Sequence, residues 1–164
     1  MSAGQSSPDW WAEPDSELQL LVDVLNRSPQ IGFDLTLTVG GSVITGTAVG
    51  AAAFWKIQLV ENVGSSTGLD SLFESGVESA LAAANRPGDI AAVTFIHLVD
   101  ATHWQGEVQL PTNSRLMWRG RLSEVQGWTL GRLGERPDPS IVNRHADALK
   151  VLQELVVIDD EEEA

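Results

Sequence analysis

The chain contains no cysteine, no apolar run of membrane-spanning length and few basic residues. Without cysteine there is no disulfide framework, no thiol chemistry and no thiolate metal site. No apolar segment reaches the roughly 18–20 residues that a bilayer-spanning helix needs. The N-terminus lacks the basic and apolar regions of a signal peptide. These absences exclude a disulfide scaffold and predict a cytoplasmic protein.

Basic residues number only 10 against 23 aspartates and glutamates, which gives a net charge of −13. Because phosphate attraction dominates binding to nucleic acids and anionic membranes, this charge argues against both partners. Residues 115–136 differ, with 5 basic and 2 acidic residues. Their arginines are interpreted either as solvated residues on a strand face or as a docking surface for an acidic partner or a second copy of the chain.

The length of 164 residues fits one domain with a sizeable core. We expect a loose tail over residues 1–14, a single globular domain over 15–156, and a disordered acidic tail over 157–164. Trp10 and Trp11 stand out in the first tail. They are interpreted as an anchor folded back onto the domain or as a partner-binding peptide.

Helical patterns occur in four places. Ser16 and Gln19 have capping-box spacing and open a helix that ends near Asn26. Apolar periodicity predicts a second helix over residues 69–84 and a last helix after Pro137. Residues 51–63 fit either a helix or a strand, and their three alanines favour the helix.

A β-hairpin over residues 31–49 is the clearest strand signal. Apolar and polar residues alternate before Gly40-Gly41 and again after it. Two glycines can take positive φ, as a two-residue hairpin turn needs. The pattern predicts that Ser42, Ile44, Gly46 and Ala48 share a face with Leu35, Leu37 and Val39, because a one-residue slip would expose the apolar row.

Three more strands are predicted at residues 91–99, 115–122 and 128–133, with a turn at Gln126-Gly127 between the last two. In the second of these, Leu116, Trp118, Gly120 and Leu122 share one face, and Arg115, Met117, Arg119 and Arg121 share the other. The fold class is therefore α+β. We expect a small, strongly bent, five-stranded antiparallel sheet or a partly open barrel, with flanking helices.

The sequence contains no nucleophile elbow, phosphate loop or dinucleotide fingerprint. His97, Asp100 and His103 have a spacing that could hold a metal, but no fourth ligand is evident, so an ordinary polar cluster at a strand end is favoured. We assign no catalytic, cofactor-binding or metal-binding residues and expect a protein that is not an enzyme. A barrel that binds a small molecule, or an enzyme, stays as an alternative.

Two resemblances bear on function. The hairpin and residues 116–120 resemble the strand motifs of Sm-like barrels, which share their small-barrel class with SH3-like domains. Sm-like RNA binders carry a polar pair just after the hairpin, where this chain has Ala51-Ala52-Ala53-Phe54. An RNA-binding barrel is thus a second alternative, with the acidic charge against it.

The wider resemblance covers roughly residues 17–133. It begins with a leading helix (18–26), a hairpin with a glycine turn (32–47) and a helix that carries Phe54-Trp55. A strand (95–101), the segment Pro111-Thr112-Asn113 and a tryptophan-rich pair of strands (118–131) follow. In these segments the chain resembles the gas vesicle accessory protein GvpU family.

That resemblance implies a cytoplasmic, non-enzymatic protein associated with gas vesicles, which assists their assembly or governs their clustering. It also implies self-association, and hence a homo-oligomer, with contacts to shell or other accessory proteins. No cofactor, nucleic acid or membrane is expected. The candidate interaction surface consists of basic and aromatic residues: Arg115, Arg119, Arg121, Arg132, Trp10 and Trp11.

Overall fold

The computed structural model describes residues 13–62, 68–86, 88–111 and 116–134. The helices are α1 (Ser16–Arg27), α2 (Ala51–Asn62) and α3 (Asp70–Ala84). The strands are β1 (Gly32–Val39), β2 (Ser42–Val49), β3 (Phe95–Gln105), β4 (Val108–Leu110), β5 (Leu116–Arg121) and β6 (Val125–Leu130). The predicted α+β class is confirmed. The last helix, residues 1–12 of the N-terminal tail, the acidic tail and Arg115 lie outside the described residues, as does the proposed domain end at 156. Trp10 and Trp11 fall in that part of the N-terminal tail.

The hairpin has the predicted register. Leu37 lies opposite Ile44, and Leu35 lies opposite Gly46. Gly40 and Gly41 have φ values of 57° and 79°, a conformation that side chains with a Cβ rarely adopt. Leu35 and Leu37 are fully buried, so the burial of this row fixes the pairing.

The sheet is antiparallel, open and six-stranded. Its strands run in the order β4-β3-β2-β1-β6, and β5 also pairs with β3. The predicted count of five strands is wrong because β4, only three residues long, is too short to show an alternating pattern. The barrel and its Sm-like or SH3-like assignment are not confirmed.

The third strand begins and ends later than predicted. Residues 90–92 form a 3₁₀ turn capped by the Asp89 side chain, and β3 continues to Gln105. It continues because the strand absorbs one extra residue between Val99 and Thr102 as a β-bulge, where Asp100 has a φ of 51°. Beyond the bulge, the alternation of faces along β3 is reversed.

The break between the last two strands also lies elsewhere than predicted. It is a 3₁₀ turn at Leu122–Glu124, whereas Gln126 and Gly127 lie inside β6. Leu122 is buried in the core, and this anchors the turn. Strand β6 therefore ends at Leu130, and the segment predicted as its second half leaves the sheet.

Helices cover both faces of the sheet. α1 packs on one face, where its apolar stripe meets side chains of three strands and the 3₁₀ turn: Leu18, Val22, Leu25, Leu35, Leu37, Ile44, Ala48, Ile96, Leu98, Ala101 and Leu122. α2 and α3 pack on the other face around a smaller cluster: Val49, Ala53, Phe54, Ile57, Val77 and Val99. Ala48 and Val49 are neighbours in β2, so the two clusters lie on opposite sides of the sheet.

Side-chain hydrogen bonds stabilise the first turns of two helices, α1 and α2. The cap of α1 is Asp15, whose carboxylate accepts from the Leu18 amide, rather than the predicted Ser16. Gln19 instead donates to the Val93 carbonyl and ties α1 to the segment before β3. The predicted helix at residues 51–63 is confirmed, and its first amide, that of Ala51, donates to the Asn26 side chain at the end of α1.

Gly50 joins β2 to α2 at the point where α1 ends. A Cβ at this position would overlap the Leu25 carbonyl. A glycine is therefore needed for the last turn of α1 to lie directly on the β2–α2 junction. This contact places the end of α1 beside the start of α2, where the two helices flank an open cleft.

Candidate functional site

A cleft of about 640 Å³ opens between the helices and the sheet. Its walls come from the end of α1, one side of the α2–α3 pair and the segment before β3, and its polar side chains include His97 of β3 and Arg119 of β5. The volume falls within the roughly 300–1,000 Å³ of small-molecule sites. We call this space the helix–sheet cleft.

Arg119 is held in place by two contacts. Its guanidinium lies over the Phe95 ring, 3.4 Å from the ring centroid, and its Nε donates to His97 Nε2 at 3.3 Å. Partial burial lowers the pKa of Arg119 from its ordinary value. Among the described residues it forms no ion pair, and its four remaining N–H groups donate to no described side chain.

His97 lies directly opposite Arg119 in the β3–β5 pairing and is only 3% exposed. Burial, and secondly the charge of Arg119, lower the pKa of His97 to about 3, so the imidazole is neutral at pH 7. Because Nε2 accepts from Arg119, the proton is assigned to Nδ1. That buried Nδ1 has no hydrogen-bond partner among the described residues.

The predicted interaction arginines separate into three positions. The two faces of β5 are as predicted, since Trp118 packs on the α1 side and Met117 on the α2–α3 side. Helices α2 and α3 pack on part of this basic face, and Arg119, although exposed, lines the helix–sheet cleft. Arg121 is exposed and forms no ion pair with a described residue.

Arg132 lies inside the protein rather than on a strand face. Its side chain is 4% exposed, and its Nε lies 3.5 Å from an Asp34 carboxylate oxygen. Its terminal nitrogens donate to the Asp100 carbonyl at 2.8 Å and to the Thr47 hydroxyl at 3.2 Å. The sequence predicted Arg132 on an exposed strand face, but β6 ends at Leu130 and the next residues turn across the sheet. The Arg132 side chain is therefore not part of an exposed surface.

His97 and His103 lie on opposite faces of the sheet. His97 pairs with Val49 on the α2–α3 side, whereas His103 pairs with Ile44 on the α1 side and meets the Trp118 ring edge-on. The extra residue at the Asp100 bulge causes this separation, since six residues of regular strand would bring both to one face. In the described ranges, no group of three or more histidines and carboxylates could hold a metal ion.

The sequence did not reveal the helix–sheet cleft or the pairing of His97 with Arg119. Both depend on the alignment of β3 with β5, and these strands are 10 residues apart in the chain. The closest sequence signal for the cleft was the run of arginines on one face of residues 115–121. It indicated the strand that carries Arg119, but not the pairing of Arg119 with His97. None of the described helices is long and apolar enough to cross a membrane.

The chain thus combines an α+β fold, whose sheet has helices on both faces, with a cleft whose described lining includes three arginines. The model of a family described as "Gas vesicle protein GvpU-like" matches residues 15–133, and the chain belongs to that family. The match confirms the resemblance predicted over residues 17–133 and makes this a gas vesicle-related protein. No curated protein and no solved structure matches the chain.

Proposed function

We propose that this protein is a non-enzymatic, cytoplasmic gas vesicle accessory protein. It assists the assembly of gas vesicles or governs their clustering, through self-association and contacts with shell or other accessory proteins. The observation that carries this proposal is the family match over residues 15–133, which spans every described helix and strand. The finer roles are inferred from charge and exposure.

The charge distribution supports self-association. The chain carries a net charge of −13, yet β5 presents Arg121 to solvent with no described counter-ion. A cationic position on an acidic molecule is complementary to the surface of a second copy. Arg115, Arg119, Trp10 and Trp11 stay part of the proposed surface, whereas Arg132 serves inside the fold.

Arg121→Glu is expected to weaken self-association roughly tenfold or more at low salt, because it replaces an attraction to acidic surface by a repulsion. Raising the salt from about 0.1 M to about 1 M shortens the Debye length from about 10 Å to about 3 Å and should weaken the wild-type assembly as well. Sedimentation velocity over a concentration series measures both effects.

Arg86→Glu is the matched control, since it changes the net charge equally at an exposed residue near the end of α3. We expect the control to associate nearly as the wild type does. Assembly that is insensitive to salt and to Arg121→Glu would contradict the electrostatic surface, as would an equal loss in both variants.

The vesicle role is tested in a cell that produces gas vesicles. Deleting the gene should change the number of vesicles or their spacing in electron micrographs, and the tagged full chain should rise with the buoyant vesicle fraction. Restoring the wild-type gene should reverse the change. A deletion without effect on vesicle number or spacing, with the chain absent from the buoyant fraction, would overturn the proposal.

A further inference from the structure

We propose that the helix–sheet cleft binds a small monocarboxylic acid with an apolar body, whose carboxylate pairs with the Arg119 guanidinium above His97. This proposal is independent of the gas vesicle role. It rests on three properties of the cleft: N–H groups of Arg119 that have no described acceptor, a small positive charge and apolar walls.

Within the part of the chain that the structure describes, the Arg119 guanidinium on the floor of the cleft has N–H groups without a side-chain acceptor. Arg119 is fixed over Phe95 and by His97, so its guanidinium is oriented before any ligand arrives. His97 lines the cleft, is 3% exposed and leaves its Nδ1 without a described partner. A planar guanidinium with free N–H groups matches a carboxylate, which accepts two parallel hydrogen bonds.

The charges around the cleft fit a monoanion. Its described lining includes Arg27, Arg86 and Arg119 against Asp23 and Asp89, while His97 is neutral. Arg27 and Asp23 are already paired at 2.9 Å. One positive charge is left in excess, and a multiply charged phosphate would meet the two aspartates.

The walls of the cleft fit an apolar body. Trp55 of α2 and Phe95 of β3 supply aromatic surface, and the α3 side is made of small residues that include Gly76, Ala80 and Ala83. Gly76 lies against the Trp55 ring, where a Cβ would come within 2.8 Å. Trp55 therefore packs directly on α3 at Gly76, and the open space lies beside this contact, along the small side chains of Ala80 and Ala83, where an aromatic or branched aliphatic body can lie.

The test uses the ¹⁵N-labelled full chain and phenylacetate as the probe, with acetate and inorganic phosphate compared at equal ionic strength. Phenylacetate should shift the Arg119 Nε–H and the backbone amides of Ala51 and Gly76, and bind at least roughly tenfold more tightly than acetate. Cleft signals that stay unmoved up to about 10 mM phenylacetate would overturn the proposal. Equal binding of acetate, or tighter binding of phosphate, would also overturn it.

Arg119→Gln should weaken phenylacetate binding at least roughly tenfold, because a charge-assisted pair is lost. Arg121→Gln is the matched control, with the same change two residues along the same strand face, and should change affinity less than about twofold. An equal loss in both variants would contradict the assigned site. If Arg119→Gln fails to fold, Ala83→Phe serves instead, since it fills the cleft from an exposed helix position and should abolish binding.

A carboxylate could also come from the acidic end of the chain itself. A full-length variant with its five terminal acids neutralised distinguishes this source: Asp159→Asn, Asp160→Asn, Glu161→Gln, Glu162→Gln and Glu163→Gln. With a free acid as the ligand, this variant leaves the Arg119 and Gly76 signals of the unliganded protein in place. Movement of those signals without any probe would assign the site to the tail and overturn the free-ligand proposal.

Discussion

Arg132→Ala is expected to lower the free energy of unfolding by about 3 kcal/mol. The side chain is 4% exposed and bridges Asp34 of β1, Thr47 of β2 and the carbonyl of Asp100 in the β3 bulge. Without the Arg132 guanidinium, the Asp34 carboxylate loses its ion pair and the Asp100 carbonyl loses the hydrogen bond from Arg132. Breaking a buried ion pair by removing one partner costs more than the modest net gain of the pair itself, and the two hydrogen bonds of the guanidinium are lost with it.

Urea unfolding of the wild type and the variant at pH 7.5 measures this loss. Arg121→Ala removes the same charge from an exposed position and should change stability by no more than about 0.5 kcal/mol. Arg132→Lys should recover only part of the loss, because one ammonium cannot span three acceptors in a fixed plane. An Arg132→Ala variant as stable as the wild type, but defective in self-association, would return Arg132 to the docking surface predicted from the sequence.

Local signals in the sequence were sufficient for the hairpin and the three described helices. The row of Leu35 and Leu37, with two glycines at the turn, determines face and register within the hairpin of residues 32–49. The helix at residues 51–62 was recoverable because alanines dominate its start, although Phe54 and Ile57 are equally common in strands. Only its capping by Asn26 depends on a contact far along the chain.

The errors arise where tertiary structure overrides local pattern. The polar residue Asp100 indicates the end of a strand in the sequence. The strand nevertheless continues, because the extra residue is accommodated as a β-bulge against both neighbouring strands. Gln126-Gly127 reads as a turn, yet burial of Leu122 places the break four residues earlier. A one-residue insertion then decides which face His103 occupies, and no short-range pattern can carry that information.

The candidate site was predicted only in part for the same reason. Alternation along residues 116–121 placed Arg119 and Arg121 on one face correctly. Arg119 and Arg121 are both exposed, but only Arg119 lines the helix–sheet cleft, and this difference depends on the position of the α2–α3 pair. The interior position of Arg132 depends on where β6 ends, so the same residue type at similar spacing has three different environments.

Acid is expected to destabilise the protein through His97. Its folded pKa of about 3 lies below the ordinary value of 6.5, so the unfolded chain binds a proton in a pH range where the folded protein does not. Stability from this group is complete above about pH 6.5 and is lost as the pH falls towards about 3, at about 1.4 kcal/mol per pH unit. Between pH 7.5 and 5 the expected loss is about 2 kcal/mol.

Carboxylates also titrate as the pH falls, so the measurement is a difference between variants. His97→Leu places an apolar side chain beside Phe54 and removes the titrating group. Between pH 7.5 and 5, the free energy of unfolding of this variant should fall by about 2 kcal/mol less than that of the wild type. Urea unfolding at both pH values gives the two slopes. Parallel pH profiles would mean that His97 is solvated in the folded protein, against its 3% exposure.

Arg119→Gln separates the two causes of the low His97 pKa. Burial is the larger cause and the Arg119 charge the smaller one, so removing the charge should raise the folded pKa of His97 without returning it to 6.5. The acid-dependent loss of stability should therefore persist, but it should end at a higher pH than in the wild type. Complete loss of the acid sensitivity would show that the guanidinium, rather than the apolar surroundings, keeps the imidazole neutral.

A carboxylate bound beside Arg119 should also raise the folded pKa of His97, because an anion stabilises the imidazolium. The pH profile of His97 thus reports on the charge state of the helix–sheet cleft.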